Sequence, residues 1–442
     1  MLTDPIAALA TPPGRAALAV IRLSGDGAFD VAARVVPAFQ TDPPRTARLA
    51  AFVAAEGSPI DRGIYLTFPG PQSYTGEDMV ELTCHGGVLT AARLLAALHA
   101  AGARPAAPGE FTRRAVLNGK MDLVQAEGVA DLVDATAQAQ ARSALHQLEG
   151  GLSRRLTALR EQLLGLLASM SYDVDFPEED DGPLERSMLV VEHETVLAAV
   201  EQLLASAPVG ERIREGALVV FAGRPNSGKS SLFNALLGSE RALVTEIPGT
   251  TRDTIEASVD VEGWPVRFAD TAGLWAAPES LDQLGIEVSR RYLDAADLVL
   301  LCVEEGLELV PDEVRILDDR PSLLVRTKVD LVGSTGQGIG VSIVSGEGLS
   351  ELKHRMVDRL FTDGSGAYPD LEPMLTRERH LVALARARGA LREARPHLVA
   401  EGDAVLAAHH VRVAVSALDE LVGAVDTDEV FDRVFRRFCV GK

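Results

Sequence analysis

Apolar residues gather in short β-type runs at Leu18–Leu23 and Val80–Cys84, while Leu89–Ala101 repeats at helical spacing, with Gly and Pro punctuating the intervals. Residues 1–118 therefore read as an α/β domain. From about Leu123 to Ser171 the apolar period is helical and sustained; the acidic stretch Asp173–Asp181 interrupts it, and helix resumes at Met188–Leu204. At Ala217 the pattern changes again. Leu218–Ala222 is a continuous apolar strand, and strand-helix alternation follows to about Phe361, which implies a parallel sheet covered on both faces. After Pro373 the helical period returns through Leu375–Leu398 and Ala404–Val422. The expected architecture is an α/β domain over 1–118, an all-α helical domain in two pieces, 119–215 and 372–442, and an α/β domain over 216–371 inserted between them.

The 442-residue length suits about three domains, and 47% hydrophobic with 24% charged residues is ordinary for globular chains. No apolar run approaches the ~20 residues of a membrane-spanning helix, and Asp4 and Pro12-Pro13 do not suit a signal peptide, so no membrane partner and a cytoplasmic location are expected. Cys84, Cys302 and Cys439 are too scattered for a disulfide framework or a zinc site. A net charge of −21 opposes broad attraction to nucleic acid, so any RNA contact must be local or shared with a partner. Lysine is rare: only Lys120, Lys229, Lys328, Lys353 and Lys442 occur against a large excess of arginine. In such a chain, lysine should survive where a compact ammonium cannot be exchanged for a planar guanidinium.

Two lysines fall in nucleotide motifs. Gly223-Arg224-Pro225-Asn226-Ser227-Gly228-Lys229-Ser230 fits G-x-x-x-x-G-K-[ST] directly after the buried strand and before a helix that begins with Ser231. Its glycines let backbone N–H groups face phosphates, Lys229 reaches the β- and γ-phosphates, and the Ser230 hydroxyl ligates Mg²⁺. Gly249-Thr250-Thr251 follows in a loop, where Thr251 can complete the Mg²⁺ shell. Asp270-Thr271-Ala272-Gly273 ends a strand, so that Asp270 can hold the metal through water and Gly273 can sense the γ-phosphate. Thr327-Lys328-Val329-Asp330 resembles the base-reading motif, in which the Asp330 carboxylate accepts the guanine donor pair; its usual first residue is Asn, and here it is Thr327. Ser342, Ile343 and Val344 stand where a looser base-contacting loop is expected. The inserted domain is thus predicted to be a Ras-like P-loop GTPase that binds GTP.

Leu274 follows the Asp270 motif and cannot polarise water. Asn226, with the loop Thr245-Glu246-Ile247-Pro248-Gly249-Thr250-Thr251, offers side-chain and carbonyl oxygens for a monovalent cation, with Asn226, Thr245, Ile247 and Thr250 as candidate K⁺ ligands in place of an arginine finger. By residue type, Glu81 and Arg22 suit an exposed strand face, Lys120 and Lys442 suit solvated charges, and Cys439, beside Phe435 and Phe438, suits burial as a small hydrophobe.

Several further stretches are specific: Ala10-Thr11-Pro12-Pro13-Gly14-Arg15, Tyr74-Thr75-Gly76-Glu77-Asp78, His85-Gly86-Gly87, Pro108 to Ala115, Leu117-Asn118-Gly119-Lys120, Asp175 to Asp180, and the terminal Phe438-Cys439-Val440-Gly441-Lys442. With the GTPase motifs, they make the chain resemble the tRNA-modification GTPase family MnmE, also called TrmE, over nearly its whole length. The resemblance implies a folate-binding, dimerising N-terminal domain, a homodimer, potassium-activated pairing of G domains, and a heterotetramer with the flavoprotein MnmG. It implies addition of an aminomethyl or carboxymethylaminomethyl group to C5 of the wobble uridine of certain tRNAs, with 5-formyl- or 5,10-methylene-tetrahydrofolate as cofactor. By motif it places Arg22, Glu81, Lys120 and Lys442 at the folate site and gives the Cys439 thiol a part in the modification chemistry. The family's water-orienting Glu aligns with Asp282, a carboxylate shorter by one methylene, with Glu279 and Glu287 as the alternative carriers of that role. The alternative is a GTP-switch ribosome-assembly factor without covalent chemistry. Such factors usually append a basic RNA-binding module, and this chain is acidic.

Overall fold

A computed structural model of the chain describes residues 3–175, 186–239, 255–270, 291–333, 337–362, 374–399, 402–422, 434–435 and 438–442. It forms two compact units, Met1–Ala130 with Val422–Lys442, and Asp131–Leu421.

The first unit is built on a six-stranded sheet of β1 (Ile6–Leu9), β2 (Leu18–Ser24), β3 (Arg48–Val53), β4 (Pro59–Phe68), β5 (Met79–His85) and β6 (Arg104–Pro105). The order is β3-β4-β5-β2-β1-β6, antiparallel except for the parallel β1–β6 pair. The strand period of two decides which face is buried. Ile21, Leu23, Tyr65, Val80, Leu82 and Cys84 share a core with α1 (Ala28–Val35) and α2 (Val88–Ala100). On the opposite face Ile6 and Ala8 are covered by Phe111 of α3 (Glu110–Leu117), while Leu18, Leu49 and Ile64 stay exposed.

The sequence pattern groups residues 372–442 with the helical domain; by packing, the described residues 434–435 and 438–442 lie with the first unit. Phe435 and Phe438 bury themselves against Leu123 and Ala126 of α4 (Leu123–Asp134), and Gly441 lies so close to β1 that a Cβ would stand 2.3 Å from the Leu9 carbonyl oxygen.

In the second unit the sustained helical stretch is cut into the end of α4, α5 (Gln138–Leu148) and α6 (Gly151–Asp175). The Gln140 side-chain oxygen accepts hydrogen bonds from the Thr136 and Ala137 N–H groups, capping α5, and Gly150 at φ 81° turns the chain into α6. Helices α7 (Arg186–Ala205) and α8 (Ala207–Glu215) lead into the inserted sheet.

That sheet comprises β7 (Ala217–Ala222), β8 (Ile255–Val261), β9 (Trp264–Asp270), β10 (Leu298–Glu304), β11 (Ser322–Thr327) and β12 (Ile339–Val341). Its order is β12-β11-β10-β7-β9-β8, parallel apart from the β8–β9 hairpin. Helices α9 (Lys229–Ser239), α10 (Pro311–Asp319) and the single turn α11 (Val329–Val332) lie between strands, and α12 (Leu349–Phe361) follows the last of them. Val219, Phe221, Phe268, Leu300 and Cys302 form the core beneath α9 and α12. The chain returns through Met374–Thr376 to α13 (Glu378–Ala394) and α14 (Ala404–Val422).

Candidate functional site: a phosphate loop and an arginine-glutamate pair

The carboxyl ends of β7, β9, β10, β11 and β12 meet at one edge of the parallel sheet, where α/β folds place their ligands. In register, Phe221 pairs with Asp270, Ala222 with Leu301, Glu304 with Thr327, and Thr327 with Val341. A cavity of about 800 Å³ opens there, lined among others by Asn226, Gly228, Lys229, Ser230, Ser231, Thr327, Lys328 and Ile343. These are predicted nucleotide residues, scattered over some 120 positions of sequence and gathered by topology.

The loop after β7 takes its shape from left-handed backbone at Asn226 (φ 63°), Gly223 (φ 135°) and Gly228 (φ 89°). The Lys229 ammonium donates to the Gly223 carbonyl at 2.9 Å and the Arg224 carbonyl at 2.7 Å. Burial pulls its pKa below the usual lysine value, against the opposing pull of Cys302 and Asp270. A desolvated cation at a helix N-terminus is suited to an anion such as a triphosphate. Ser230 is exposed at the cavity wall and Asp270 is buried at the end of β9, hard oxygen donors of the kind Mg²⁺ takes. Burial pushes the Cys302 thiol up to about 12, so this residue serves as neutral core under the loop.

Thr327, the departure from the usual Asn, keeps a role. Its hydroxyl donates to the Ser227 carbonyl at 2.8 Å, both groups buried, and ties the base-reading strand to the phosphate loop. Thr327→Val, which keeps the shape and leaves that carbonyl unsatisfied, is expected to weaken GTP binding by about one order of magnitude, consistent with about 1–2 kcal/mol, in a fluorescent-nucleotide titration.

Lys328 stands in left-handed backbone (φ 60°) with its ammonium 2.6 Å from Glu304 Oε2. Val329 is buried and Asp330 exposed on the next turn. Ser342 is fully buried, and its hydroxyl accepts the Val344 and Ser345 N–H groups. It thus shapes the loop while Ile343 reaches the cavity; Val344 is 84% exposed and turned outward. Thr245, Glu246, Ile247, Pro248, Gly249, Thr250, Thr251, Thr271, Ala272, Gly273 and Asp282 lie outside the described residues.

The sequence reading missed Arg224. Its guanidinium forks onto Glu313 of α10 at 2.9 and 3.1 Å and donates to the Glu308 carbonyl at 2.8 Å, pinning the outer limb of the loop. The signal was a lone charged residue among small ones, with its partner 89 positions away.

In the first unit, Arg22 and Glu81 are direct cross-strand partners, with Nε and Nη2 at 3.1 and 2.9 Å from Oε1. The guanidinium also donates to the Gly441 carbonyl at 3.5 Å and lies 5.2 Å from the Tyr74 ring and 5.7 Å from the Phe111 ring. The C-terminal tail thus reaches the predicted pair and leaves Lys442 half-buried at its end. Cys439 is exposed, contrary to the burial its aromatic neighbours suggest; Phe435 and Phe438 fill the core and leave the thiol outside. Lys120 donates to the Pro71 carbonyl at 2.9 Å, at the start of the loop that carries Tyr74. Tyr74 itself was given no role by the sequence.

Fold, motif and cavity together define a P-loop GTPase whose G domain is inserted in a helical domain. Residues 5–120 match the sequence family described as GTP-binding protein TrmE N-terminus, and residues 123–439 match the MnmE helical domain. Relatives named tRNA modification GTPase MnmE are 44% identical in Thermus thermophilus and 39% in Akkermansia muciniphila, each with full coverage of both chains, and 40% in Acinetobacter baumannii over 99% of this chain and 98% of that one. The chain belongs to the MnmE family.

Proposed function

We propose that this GTPase acts with the flavoprotein MnmG to install an aminomethyl or carboxymethylaminomethyl group at C5 of the wobble uridine of certain tRNAs. The observation that carries this reading is the joint presence of a GTP cleft and, in the other unit, the Arg22–Glu81 pair met by the C-terminal tail with its exposed Cys439. A GTP switch alone has no use for the second constellation.

Tetrahydrofolate would supply the one-carbon unit. The residues fit it in kind: a cation and a carboxylate for polar groups, the Tyr74 ring for a flat heterocycle, and Lys120 and Lys442 for carboxylates. Cys439 would act as the thiol of the chemistry.

In the G domain 216–371, Lys229 and the backbone amides of Asn226, Ser227, Gly228, Ser230 and Ser231 bind phosphates, Ser230 and Thr251 hold Mg²⁺ and Asp330 reads guanine. Asn226, Thr245, Ile247 and Thr250 hold K⁺, and Asp282 orients water. The exposed, left-handed position of Asn226 at the loop tip supports its part.

The protein acts as a homodimer, supported by the exposed apolar Leu18, Leu49 and Ile64 on one face of the first unit's sheet. The cytoplasm is the proposed location; among the described residues no helix is long and apolar enough to cross a membrane.

Reconstitution tests the reading. The purified chain, MnmG, tRNA, GTP, 5,10-methylene-tetrahydrofolate and an amine donor, ammonium or glycine, in potassium buffer should yield the C5-substituted wobble uridine by nucleoside mass spectrometry. Omitting the folate, or replacing potassium with sodium, should lower the yield. No product under the full conditions would return the protein to a GTP switch of the ribosome-assembly kind.

A further inference from the structure

The G domain joins the helical bundle through two covalent connections, outward through α8 and back through Met374–Thr376. One carboxylate oxygen holds both. Asp131 Oδ1, in the last turn of α4, accepts Arg377 Nη2 at 2.6 Å and Arg214 Nε at 3.3 Å; the three side chains are only 16–21% exposed. Arg377 is the N-cap residue of α13, on the returning connection, and Arg214 lies in the last turn of α8, on the outgoing one.

Helix α8 is gripped from two sides. Arg212 and Arg214 are two positions apart, about 200° around the helix, and so cannot face the same neighbour. Arg212 turns to the G domain, with Nε 3.0 Å from Asp297 Oδ1 and Nη1 donating to the Leu360 carbonyl at 2.8 Å. Asp297 also accepts the Leu218 N–H at the start of β7. Arg214 turns to Asp131, while its own carbonyl accepts the Gln140 side-chain amide at 2.9 Å. Close by, Gly210 lets α8 touch the returning segment, since a Cβ there would stand 2.1 Å from the Leu375 carbonyl oxygen.

A cavity of about 150 Å³ adjoins the pair, bounded by Asp131, Asp134, Gln140, Gln147, Arg214 and Thr376. It gives the Arg214 side chain room to leave Asp131 without unfolding either helix. An ion pair shared by both connections, beside open space, has two available arrangements, as a switching element requires.

We propose that Asp131 is the latch that registers the G domain against the helical bundle, so that a nucleotide-driven movement of the G domain is delivered to the bundle as a directed displacement. Asp131 is a positioning residue; it touches no nucleotide. The inference rests on the reading that this G domain changes state with its nucleotide.

Spin labels at Glu351→Cys in α12 and Ser416→Cys in α14, in a Cys439→Ser background, report the G-domain-to-bundle distance by electron double resonance. With Asp131 intact, a narrow distribution should shift between GDP and a GTP analogue. Asp131→Asn should broaden it and abolish the shift, with GTP affinity and basal hydrolysis kept within about twofold. In the unlabelled full-length protein the same substitution should lower wobble-uridine modification roughly tenfold, within the usual range of coupling between sites. Arg377→Gln and Arg214→Gln should each reproduce part of the effect and Asp131→Glu should restore it, which guards against a folding defect. A sharp, nucleotide-dependent shift in Asp131→Asn overturns the latch alone; no shift in the parent protein overturns the switching reading and the latch with it.

Discussion

Gly223→Ala is expected to abolish measurable GTP binding, a loss of at least about a hundredfold by isothermal titration, while the protein stays folded. The residue sits at φ 135°, a region closed to side chains, and its Cβ would stand 2.2 Å from the Cys302 carbonyl oxygen and 3.0 Å from Ser227 Oγ. The first obstruction is backbone of β10, locked by parallel pairing to both β7 and β11, so it cannot give way. The loop must move instead. Movement at Gly223 displaces the carbonyl that holds Lys229 and unseats the Thr327 bond at Ser227. Gly119→Ala is the matched comparison: its φ is also positive, at 67°, but no atom lies within 4 Å of a Cβ there. It should cost only the conformational strain and leave GTP binding intact. Equal nucleotide affinity for Gly223→Ala and the parent protein would show that the phosphate loop adapts and that the β10 contact does not constrain it.

The contrast explains what could be read from the chain alone. A phosphate loop needs glycines, a lysine and a hydroxyl at fixed spacing on a strand-to-helix turn, so its chemistry is local and visible in eight residues. Strands β7 and β10 were legible because burial on both faces leaves no polar position in Leu218–Ala222 or Leu298–Val303. The breaks after α4 and α5 were not, because a Gln side chain capping two residues behind it and one left-handed Gly interrupt a stretch whose apolar period continues. Least legible were the long-range partners. Arg22 meets Gly441 across 419 positions, Arg377 meets Asp131 across 246, and Arg224 meets Glu313 across 89. No period or motif encodes such a pairing; it exists only when the fold has brought two polar side chains to the same place.

Arg114→Met is expected to destabilise the first unit by about 3–5 kcal/mol, seen as an early denaturant transition reported by Tyr65 and Tyr74 ahead of the rest of the chain. Arg114 is 1% exposed and holds four groups: the Asp4 carbonyl at 2.8 Å, Asp4 Oδ1 at 3.1 Å, Glu77 at 3.2 Å and Glu110 Oε1 at 3.0 Å. Met fills similar space and satisfies none of them, leaving Glu77 with the Ser24 hydroxyl and Glu110 with Arg104 and the Ala107 N–H. The effect carries a pH signature. Burial pushes the Glu110 carboxyl up, yet hydrogen bonds from Arg104, the Ala107 N–H and Arg114 outweigh it and hold the carboxyl below the usual glutamate value. Asp4 is lowered too, first by its bond from Arg104. A carboxylate depressed in the folded state adds stability above its unfolded pKa and loses it as pH falls through the folded one. The parent unit should therefore weaken steadily on acidification below about pH 4.5. In Arg114→Met the Glu110 carboxyl rises towards or above its ordinary value, so that slope should flatten or reverse, and the deficit against the parent should shrink at low pH. A deficit unchanged from neutral to acid pH would assign the loss to packing, with the charge network contributing nothing.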